Sequence, residues 1–236
     1  MRHTLRRLLL VLIVLMLVYP VNTFAQLSGT FPIPGAQFTT INQAIDSLNL
    51  VGVDTGGVTF NIAAGYTETA PAGGFVLGST ILNASVAAYS PIVFQKSSTG
   101  NNPLITAFTP GTSTSVDGIW IIQGTDYVTI DGIDLRENPS NISPLEQMEW
   151  GYALVKLNST SPFDGCQFVT IKNCSITLSN VNTGSIGIYA GNHIATATTA
   201  LTITDPSDAM NNSGFFSNTI DSAYVGIRLG GYSHSS

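Results

Sequence analysis

The first clear periodicity along the chain is helical and begins near residue 40. Four apolar residues recur at the spacing of one helix face: Ile41, Ala44, Ile45 and Leu48. Thr40, followed three residues later by Gln43, matches the capping box that starts many helices. The pattern therefore predicts a short amphipathic helix whose apolar stripe lies on the rest of the protein.

The pattern then changes from helical to extended. Glycines at 52, 56 and 57 end the helix, and apolar and polar residues alternate from Val58 to Ile62. The following G-Y-T-E sequence, residues 65–68, predicts a turn.

Two strand motifs then repeat along the chain. Y-V-T-I-D-G-I-D-L (127–135) aligns without a gap on F-V-T-I-K-N-C-S-I (168–176). A strand that begins with glycine recurs at Gly118, Gly151, Gly187 and Gly226, with spacings of 33, 36 and 39 residues. Because the two motifs alternate, the sequence predicts a solenoid with one copy of each in every turn.

The alignment of the two copies predicts specific contacts and a tight corner. Tyr127 should stack on Phe168, Ile130 on Ile171, and Asp131 should lie near Lys172. Gly132 aligns with Asn173, and Gly and Asn are the residues that best tolerate a left-handed corner. A third copy, F-F-S-N-T-I, places Asn218 at this corner with a spacing one residue shorter. The alternative is a β-propeller or sandwich, which needs hairpin turns about every 8–12 residues, and the sequence shows few of them.

These motifs carry a family resemblance. The T-I-N-Q-A-I-D-S-L helix, the apolar strand and the G-Y-T-E turn resemble the N-terminal end of pectin-lyase-like β-helices. The D-Y-V-T-I-D-G strand is similar to those of exported β-helix repeat proteins from bacteria that use type IX secretion. The resemblance covers residues 29–230 and implies an all-β, right-handed parallel β-helix with a short N-terminal capping helix. The resemblance also implies a C-terminal sorting domain, which is absent from this sequence. No polar cap follows the last Gly-first strand, although a solenoid needs one on its final coil.

We therefore expect an N-terminal fragment, and the missing C-terminal region of the same protein is an expected partner for its last coil.

The first 25 residues have the pattern of a signal peptide. Basic residues precede an apolar run from Leu8 to Val18, and Thr23 and Ala25 are spaced like a signal-peptidase site. A membrane-spanning helix needs roughly 20 apolar residues, so a retained anchor is the less favoured alternative. The predicted organisation is a signal peptide (1–25), a capping segment (26–56) and a β-helix (57–236). We expect a secreted or cell-surface protein, exported through the periplasm, with no membrane span after cleavage at Gln26.

Charge and cysteine content indicate which partners and which covalent links the protein is not expected to have. Three of the eight basic residues lie in the signal segment, so its removal leaves five against fourteen acids, a net charge of −9. Nucleic acid is therefore not an expected partner, because it binds clustered Lys and Arg. Cys166 and Cys174 are too few for a disulfide scaffold. By the repeat, Cys174 faces inward and Cys166 lies too far away for a disulfide, so both are predicted to be buried and free.

The sequence predicts no catalytic residue, metal or cofactor. The resemblance implies that an enzyme of this fold would use a carboxylate cluster for Ca²⁺ and a basic residue, or grouped aspartates for acid–base catalysis. The N-T-D, D-D, G-H-G and R-I-K motifs of polygalacturonases and the W-x-D-H of pectate lyases are absent. The nearest acidic cluster, Asp126, Asp131 and Asp134, is interpreted as serving turns and solubility, so calcium is unsupported. His193 is interpreted as a lone imidazole in a loop.

The outer face of the Gly-first sheet is the candidate binding surface. Aligning the four glycines places Ile119, Tyr152, Ile188 and Ile227 in one inward column. The next residues, Trp120, Ala153, Tyr189 and Arg228, then face outward. Aromatic rings and an arginine on a hydroxyl-rich surface suit a polysaccharide or cell-surface glycan, so Trp120, Tyr189 and Arg228 are the predicted ligand-binding residues. The alternative is that a loop or the missing C-terminal region covers Trp120.

The functional hypothesis is a secreted or cell-surface β-helix module with a structural, adhesive or glycan-contacting role, non-catalytic in this fragment. The alternative is the N-terminal part of a polysaccharide lyase or glycoside hydrolase whose catalytic coils lie beyond residue 236.

Overall fold

The protein is a parallel β-helix. The computed structural model describes residues 25–112, 116–203 and 205–231. Within these ranges the strands form three sheets, and every pair of neighbouring strands runs parallel. The chain visits the first, second and third sheet in turn and then begins the next coil, which confirms the predicted solenoid and excludes the propeller and the sandwich.

The elements follow one another in five described coils. Strand β1 (Leu27–Ile33) and helix α1 (Ile41–Val51) come first. Coil 1 contains β2 (Val53–Ile62), β3 (Thr67–Thr69) and β4 (Phe75–Leu77), followed by the short helix α2 (Thr80–Asn83). Coil 2 contains β5 (Ile92–Lys96), β6 (Leu104–Thr106) and β7 (Gly118–Gln123). Coil 3 contains β8 (Val128–Asp131), β9 (Asp134–Arg136) and β10 (Trp150–Lys156). Coil 4 contains β11 (Thr170–Lys172), β12 (Ser175–Thr177) and β13 (Ile186–Ile194). Coil 5 contains β14 (Gly214–Phe216), β15 (Thr219–Asp221) and β16 (Val225–Leu229), after a 3₁₀ turn at Pro206–Asp208.

Helix α1 caps the first coil as predicted. Its four apolar residues are buried, and Thr40 Oγ1 accepts a hydrogen bond from the Gln43 backbone N–H at 3.1 Å. Glu68 lies in strand β3, which begins inside the predicted G-Y-T-E turn. It accepts hydrogen bonds from the first backbone N–H groups of the helix, at 2.7 Å from Ile41 and 3.1 Å from Asn42. These groups lack partners within the helix, and their partial positive charge favours a carboxylate. Strand β3 therefore fastens the helix to coil 1.

The core is built from columns of equivalent residues on successive coils. In the first sheet the column is Phe60, Phe94, Ile130, Ile171 and Phe215. The second sheet contributes Ile105, Leu135, Ile176 and Ile220. The third contributes Phe75, Trp120, Tyr152, Ile188 and Ile227. Each inward side chain thus packs on its equivalents above and below. Coil 5 differs, because its Ile227 is 47% exposed.

The predicted contacts between the two aligned motifs are confirmed. Ile130 pairs with Ile171 on neighbouring parallel strands, and Asp131 with Lys172. The Asp131 carboxylate lies 3.1 Å from the Lys172 ammonium, with both side chains partly exposed. The rings of Tyr127 and Phe168 stack with their centroids 4.7 Å apart.

The predicted corner is confirmed in two copies and shifted by one residue in the third. Gly132 and Asn173 have φ values of 68° and 58°, but in coil 5 the left-handed residue is Ser217, with φ 53°. The register is set by Phe215, which stacks on Ile171 in the core, so Asn218 lies one position beyond the corner. There its side chain accepts a hydrogen bond from the Cys174 N–H at 3.0 Å.

The glycines that begin the third-sheet strands do not form one column, which corrects the predicted alignment. Gly151 and Gly187 occupy equivalent positions, since Tyr152 pairs with Ile188. A Cβ there would lie 2.7 Å from the Ile176 Cγ2 and 2.5 Å from the Ile220 Cγ2, respectively, so the second sheet leaves room only for glycine.

Gly118 has a different reason to be glycine. It pairs with Trp150, not with Gly151, and the Trp150 ring lies over it. A Cβ at Gly118 would also lie 2.9 Å from the Ile121 Cγ1. The first copy is therefore displaced by one residue, and Trp120 pairs with Tyr152 on the inner side.

The energetic importance of the inner column can be tested at Ile171. Ile171→Ala is expected to lower the free energy of unfolding by about 2–5 kcal/mol, because it removes buried methyl groups and leaves a cavity in a stacked column. The adjacent control, Lys172→Ala, breaks a partly exposed ion pair and should cost at most about 1 kcal/mol. Urea titrations of the three proteins make the comparison, and equal losses in the two variants would contradict the assigned register.

Candidate functional site

The outer face of the third sheet presents Tyr189 and Arg228 side by side. The outward column is Ile121, Ala153, Tyr189 and Arg228. Tyr189 is partly exposed and Arg228 is exposed, as the sequence predicted.

The predicted outward position of Trp120 is wrong. Its side chain is fully buried inside the solenoid, and its ring lies 5.2 Å from that of Phe75 and 5.1 Å from that of Phe94. The cause is the one-residue displacement at Gly118, which exchanges the inner and outer faces of this strand. Trp120 therefore cannot contact a ligand on the outer face.

A different tryptophan, Trp150, supports this face. Its ring stacks on Tyr189 with centroids 5.0 Å apart and an interplanar angle of 4°. It belongs to a second apolar cluster outside the sheet, whose buried members are Ile121, Trp150, Ala153, Val155 and Ile186. Sequence reasoning missed Trp150, because its outer position depends on the register in which it lies over Gly118.

His193 completes the aromatic group. It lies in strand β13 and is buried, which corrects its expected place in a loop. Its Nε2 lies 2.6 Å from the Tyr189 hydroxyl, and its Nδ1 lies 2.8 Å from the Ile194 carbonyl oxygen. Since the carbonyl can only accept, Nδ1 is the donor to it, and in the neutral ring Nε2 accepts from the Tyr189 hydroxyl. Burial raises the pKa of that hydroxyl, which keeps it a donor.

A groove borders this aromatic group. It has a volume of about 620 Å³ and is lined by Val116, Pro144, Leu145, Glu149, Val181, Asn182, Thr183, Gly184, Thr196, Ala197 and Thr198. Val116 and Tyr189 both pack on the outer apolar cluster, which places the groove beside the stacked rings. Its polar groups are threonine hydroxyls, one amide and one carboxyl.

The carboxyl group of Glu149 is the titratable group of the groove. Its oxygens accept hydrogen bonds from the Asp117 backbone N–H and from the Asn182 Nδ2, each at 3.1 Å. Burial raises the pKa of Glu149 to about 7, and the neighbouring charge of Asp117 acts in the same direction. The groove therefore contains a carboxyl group that titrates near neutral pH.

A second cleft lies at the other end of strand β10. It has a volume of about 560 Å³ and contains the side chains of Asp126, Asp164 and Asp208. The Asp126 Oδ1 accepts a hydrogen bond from the Gln167 N–H at 2.6 Å, and the Asp164 Oδ2 accepts one from the Asn83 Nδ2 at 2.7 Å. Burial raises the pKa of Asp126 to about 6 and also raises that of Asp164.

Lys156 lies beneath this second cleft. Its side chain is fully buried, and its ammonium donates a hydrogen bond to the backbone carbonyl of Asp208. Burial lowers the pKa of Lys156, while the nearby Cys166, Asp208 and Asp164 raise it. This group could not be predicted from the sequence, because its members come from four separate segments of the chain.

The three aspartates predicted to form a cluster separate in the structure. Asp131 pairs with Lys172, and Asp134 accepts hydrogen bonds from the Asn102 side chain and the Ser175 N–H, both at 2.7 Å. Asp126 lines the second cleft. Within the residues that the structure describes, no group of three or more His, Cys, Asp or Glu side chains is placed to hold a metal ion.

Both cysteines are buried and free, as predicted. Burial raises the pKa of the Cys166 thiol to about 12 and that of the Cys174 thiol to about 11. Thiols with such high pKa values are weak nucleophiles at neutral pH.

The fold defines the protein as a parallel β-helix solenoid. No protein-family model matches the chain, and neither the curated proteins nor the solved structures give a significant match. In the described ranges, no helix is both long and apolar enough to cross a membrane. The predicted signal peptide lies outside the described residues, apart from Ala25.

The raised pKa of Asp126 predicts how stability changes with pH. Because the folded-state pKa is about 6, against an ordinary value of 3.8, the folded protein holds the proton more tightly than the unfolded chain. This contribution is full below pH 3.8 and is lost as the pH rises through about 6. Asp126→Asn should therefore be more stable than wild type at pH 7 and gain less at pH 4, as measured by urea midpoints. Asp54→Asn, at an exposed strand position, is the control. Parallel pH profiles for wild type and Asp126→Asn would contradict the assignment.

Proposed function

We propose that the protein is an exported, non-catalytic β-helix module that contacts a polysaccharide through the outer face of its third sheet. The observation that carries the proposal is the adjacency of Tyr189 and Arg228 on successive coils. The groove lined by threonine hydroxyls and an amide meets the same outer apolar cluster as Tyr189, through Val116.

The chemistry of this surface fits a sugar polymer. The Tyr189 ring packs against both Trp150 and His193, so a sugar ring can lie against its free parts at low entropic cost. The Arg228 guanidinium offers several N–H donors in a planar arrangement that suits hydroxyl and carboxylate oxygens. A run of coils gives an extended surface, as solenoid binding proteins use.

The proposal requires that the protein is exported to the cell surface or the medium. The basic, apolar and small-residue pattern of residues 1–25 supports it, as does the low share of charged residues, 9% of the chain. The resemblance to right-handed pectin-lyase-like repeat proteins of type IX secreting bacteria supports a cell-surface or secreted location. A further coil of the same protein, stacked on coil 5, would bury Ile227 and is the proposed internal partner.

The second candidate is the N-terminal part of a polysaccharide lyase or glycoside hydrolase. The observation that favours it is the cleft with Asp126 and Asp164, since glycoside hydrolysis uses two carboxyl groups, one with a raised pKa. Release of unsaturated products or reducing ends from pectin, alginate or chondroitin, lost in Asp126→Asn, would favour this candidate over the binding module.

The binding surface is tested with Arg228→Ala and Tyr189→Ala, which removes the ring on which the sugar is proposed to lie. Each variant should bind polysaccharide more weakly than wild type, with Arg228→Ala losing on the order of tenfold because it removes a charge-assisted hydrogen bond. Binding is measured by co-sedimentation with insoluble polysaccharides and by titration calorimetry with soluble fragments.

The matched control is Tyr89→Ala, which removes an aromatic ring that is 71% exposed, on the connection between coils 1 and 2. It should bind like wild type. Equal affinity in all four proteins, or no binding to any polysaccharide, would refute the proposed surface.

Export is tested by intact-mass analysis of the protein recovered from the medium or cell surface of a secreting host. The predicted mature chain begins at Gln26. Recovery of a chain that still contains Met1 would remove the basis for the proposed location.

A further inference from the structure

Two carboxylates, those of Glu137 and Glu149, bind the ends of the loop that forms one wall of the groove. The loop runs from Glu137, just after β9, to Glu149, just before β10, and its Pro144 and Leu145 line the groove. Glu137 accepts hydrogen bonds from the Asn138 and Met148 backbone N–H groups, at 2.9 and 2.7 Å. A single side chain thus ties the start of the loop to its end.

Glu149 ties the same loop to the coils on both sides. One oxygen binds the Asp117 N–H from coil 2, and the other binds the Asn182 amide from coil 4. The Asp117 carboxylate in turn accepts a hydrogen bond from the Thr112 hydroxyl at 2.6 Å. Further hydrogen bonds that hold the loop end on backbone carbonyls, including those of the Asn138 and Asn141 side-chain amides to Ala107 and Phe108, at 2.9 and 3.0 Å. The two glutamates are the titratable part of its attachment.

The charged groups that face one another here have the same sign. Asp117 acts electrostatically on both Glu137 and Glu149, and its charge raises the pKa of each. The groups that reach Glu149 from coil 4 and from its own coil are an amide and backbone N–H groups. Burial opposes ionisation of both glutamates more strongly than any other influence.

We propose that Glu137 and Glu149, next to the charge of Asp117, form a pH-sensitive latch that helps to keep the 137–149 loop closed against the groove in mildly acidic conditions and loosens it above neutral pH. A proton on the cluster removes one of the adjacent buried charges, whereas full ionisation places like charges together in a desolvated site.

The direction follows from linkage. In the closed state Glu149 has a pKa of about 7, and in an open, solvated loop it returns towards the ordinary 4.5. The closed state therefore binds the proton more tightly, and its advantage is lost as the pH rises through 7. For these two values, the opening equilibrium should rise about tenfold between pH 6 and pH 8.

Hydrogen–deuterium exchange of the whole protein tests the latch. Amides of residues 138–149 should exchange about tenfold faster at pH 8 than at pH 6, after correction for the intrinsic pH dependence of exchange. Peptides from β8 and β11 provide the internal reference. Glu149→Gln should abolish most of the extra pH dependence, whereas the control Asp131→Asn, on the opposite corner, should retain it.

The wild-type measurement is decisive by itself if Glu149→Gln fails to fold. Corrected exchange that is equal at pH 6 and pH 8 in the wild-type loop would overturn the proposal, as would a folded Glu149→Gln variant with the full wild-type change.

Discussion

The structure depends on one interaction, the stacking of identical inward positions on successive parallel strands. Ile130 lies on Ile171, and Phe60 on Phe94 with ring centroids 4.8 Å apart, so each coil buries the apolar face of the next. An isolated coil could not bury its own face, and the first coil would remain open. Helix α1 closes it, and Glu68 holds the helix in place through the backbone N–H groups of its first turn. The stability of each coil therefore depends on the coil or helix packed against it.

The stacked strands are regular, so the features that we propose for function lie in the loops that connect them and on the outer face of the third sheet. Variable spacing between the strands of the second and third sheets inserts the 137–149 loop and the segments that line the groove. Val116, which lines the groove, packs against the outer apolar cluster around Trp150, whereas Met148 of the 137–149 loop belongs to the solenoid core. The frame thus places Tyr189 and Arg228 side by side on the outer face of the third sheet, and the loops supply the polar groups of the groove.

Sequence reasoning predicted the parts of the fold that follow a period. The capping helix, the stacked pair Ile130 and Ile171 and the buried Cys174 all follow from alternation and repeat spacing. It failed where one residue type serves two purposes, since Gly118 and Gly151 are glycines for different steric reasons. That single displacement moved Trp120 to the wrong face. The clusters around Glu149 and Lys156 could not be predicted, because their members meet only through the three-dimensional path of distant loops.

The register of the coils, on which both the core and the outer surface depend, is tested most directly by paired cysteine substitutions on the first sheet. Thr129 and Thr170 are partners on adjacent strands, roughly 4.8 Å apart, within the range that a disulfide tolerates. The Thr129→Cys/Thr170→Cys protein should form an intramolecular disulfide under mild oxidation while remaining folded. The offset pair Thr129→Cys/Lys172→Cys should not. Efficient cross-linking of the offset pair, with none in the matched pair, would contradict the β-helix register.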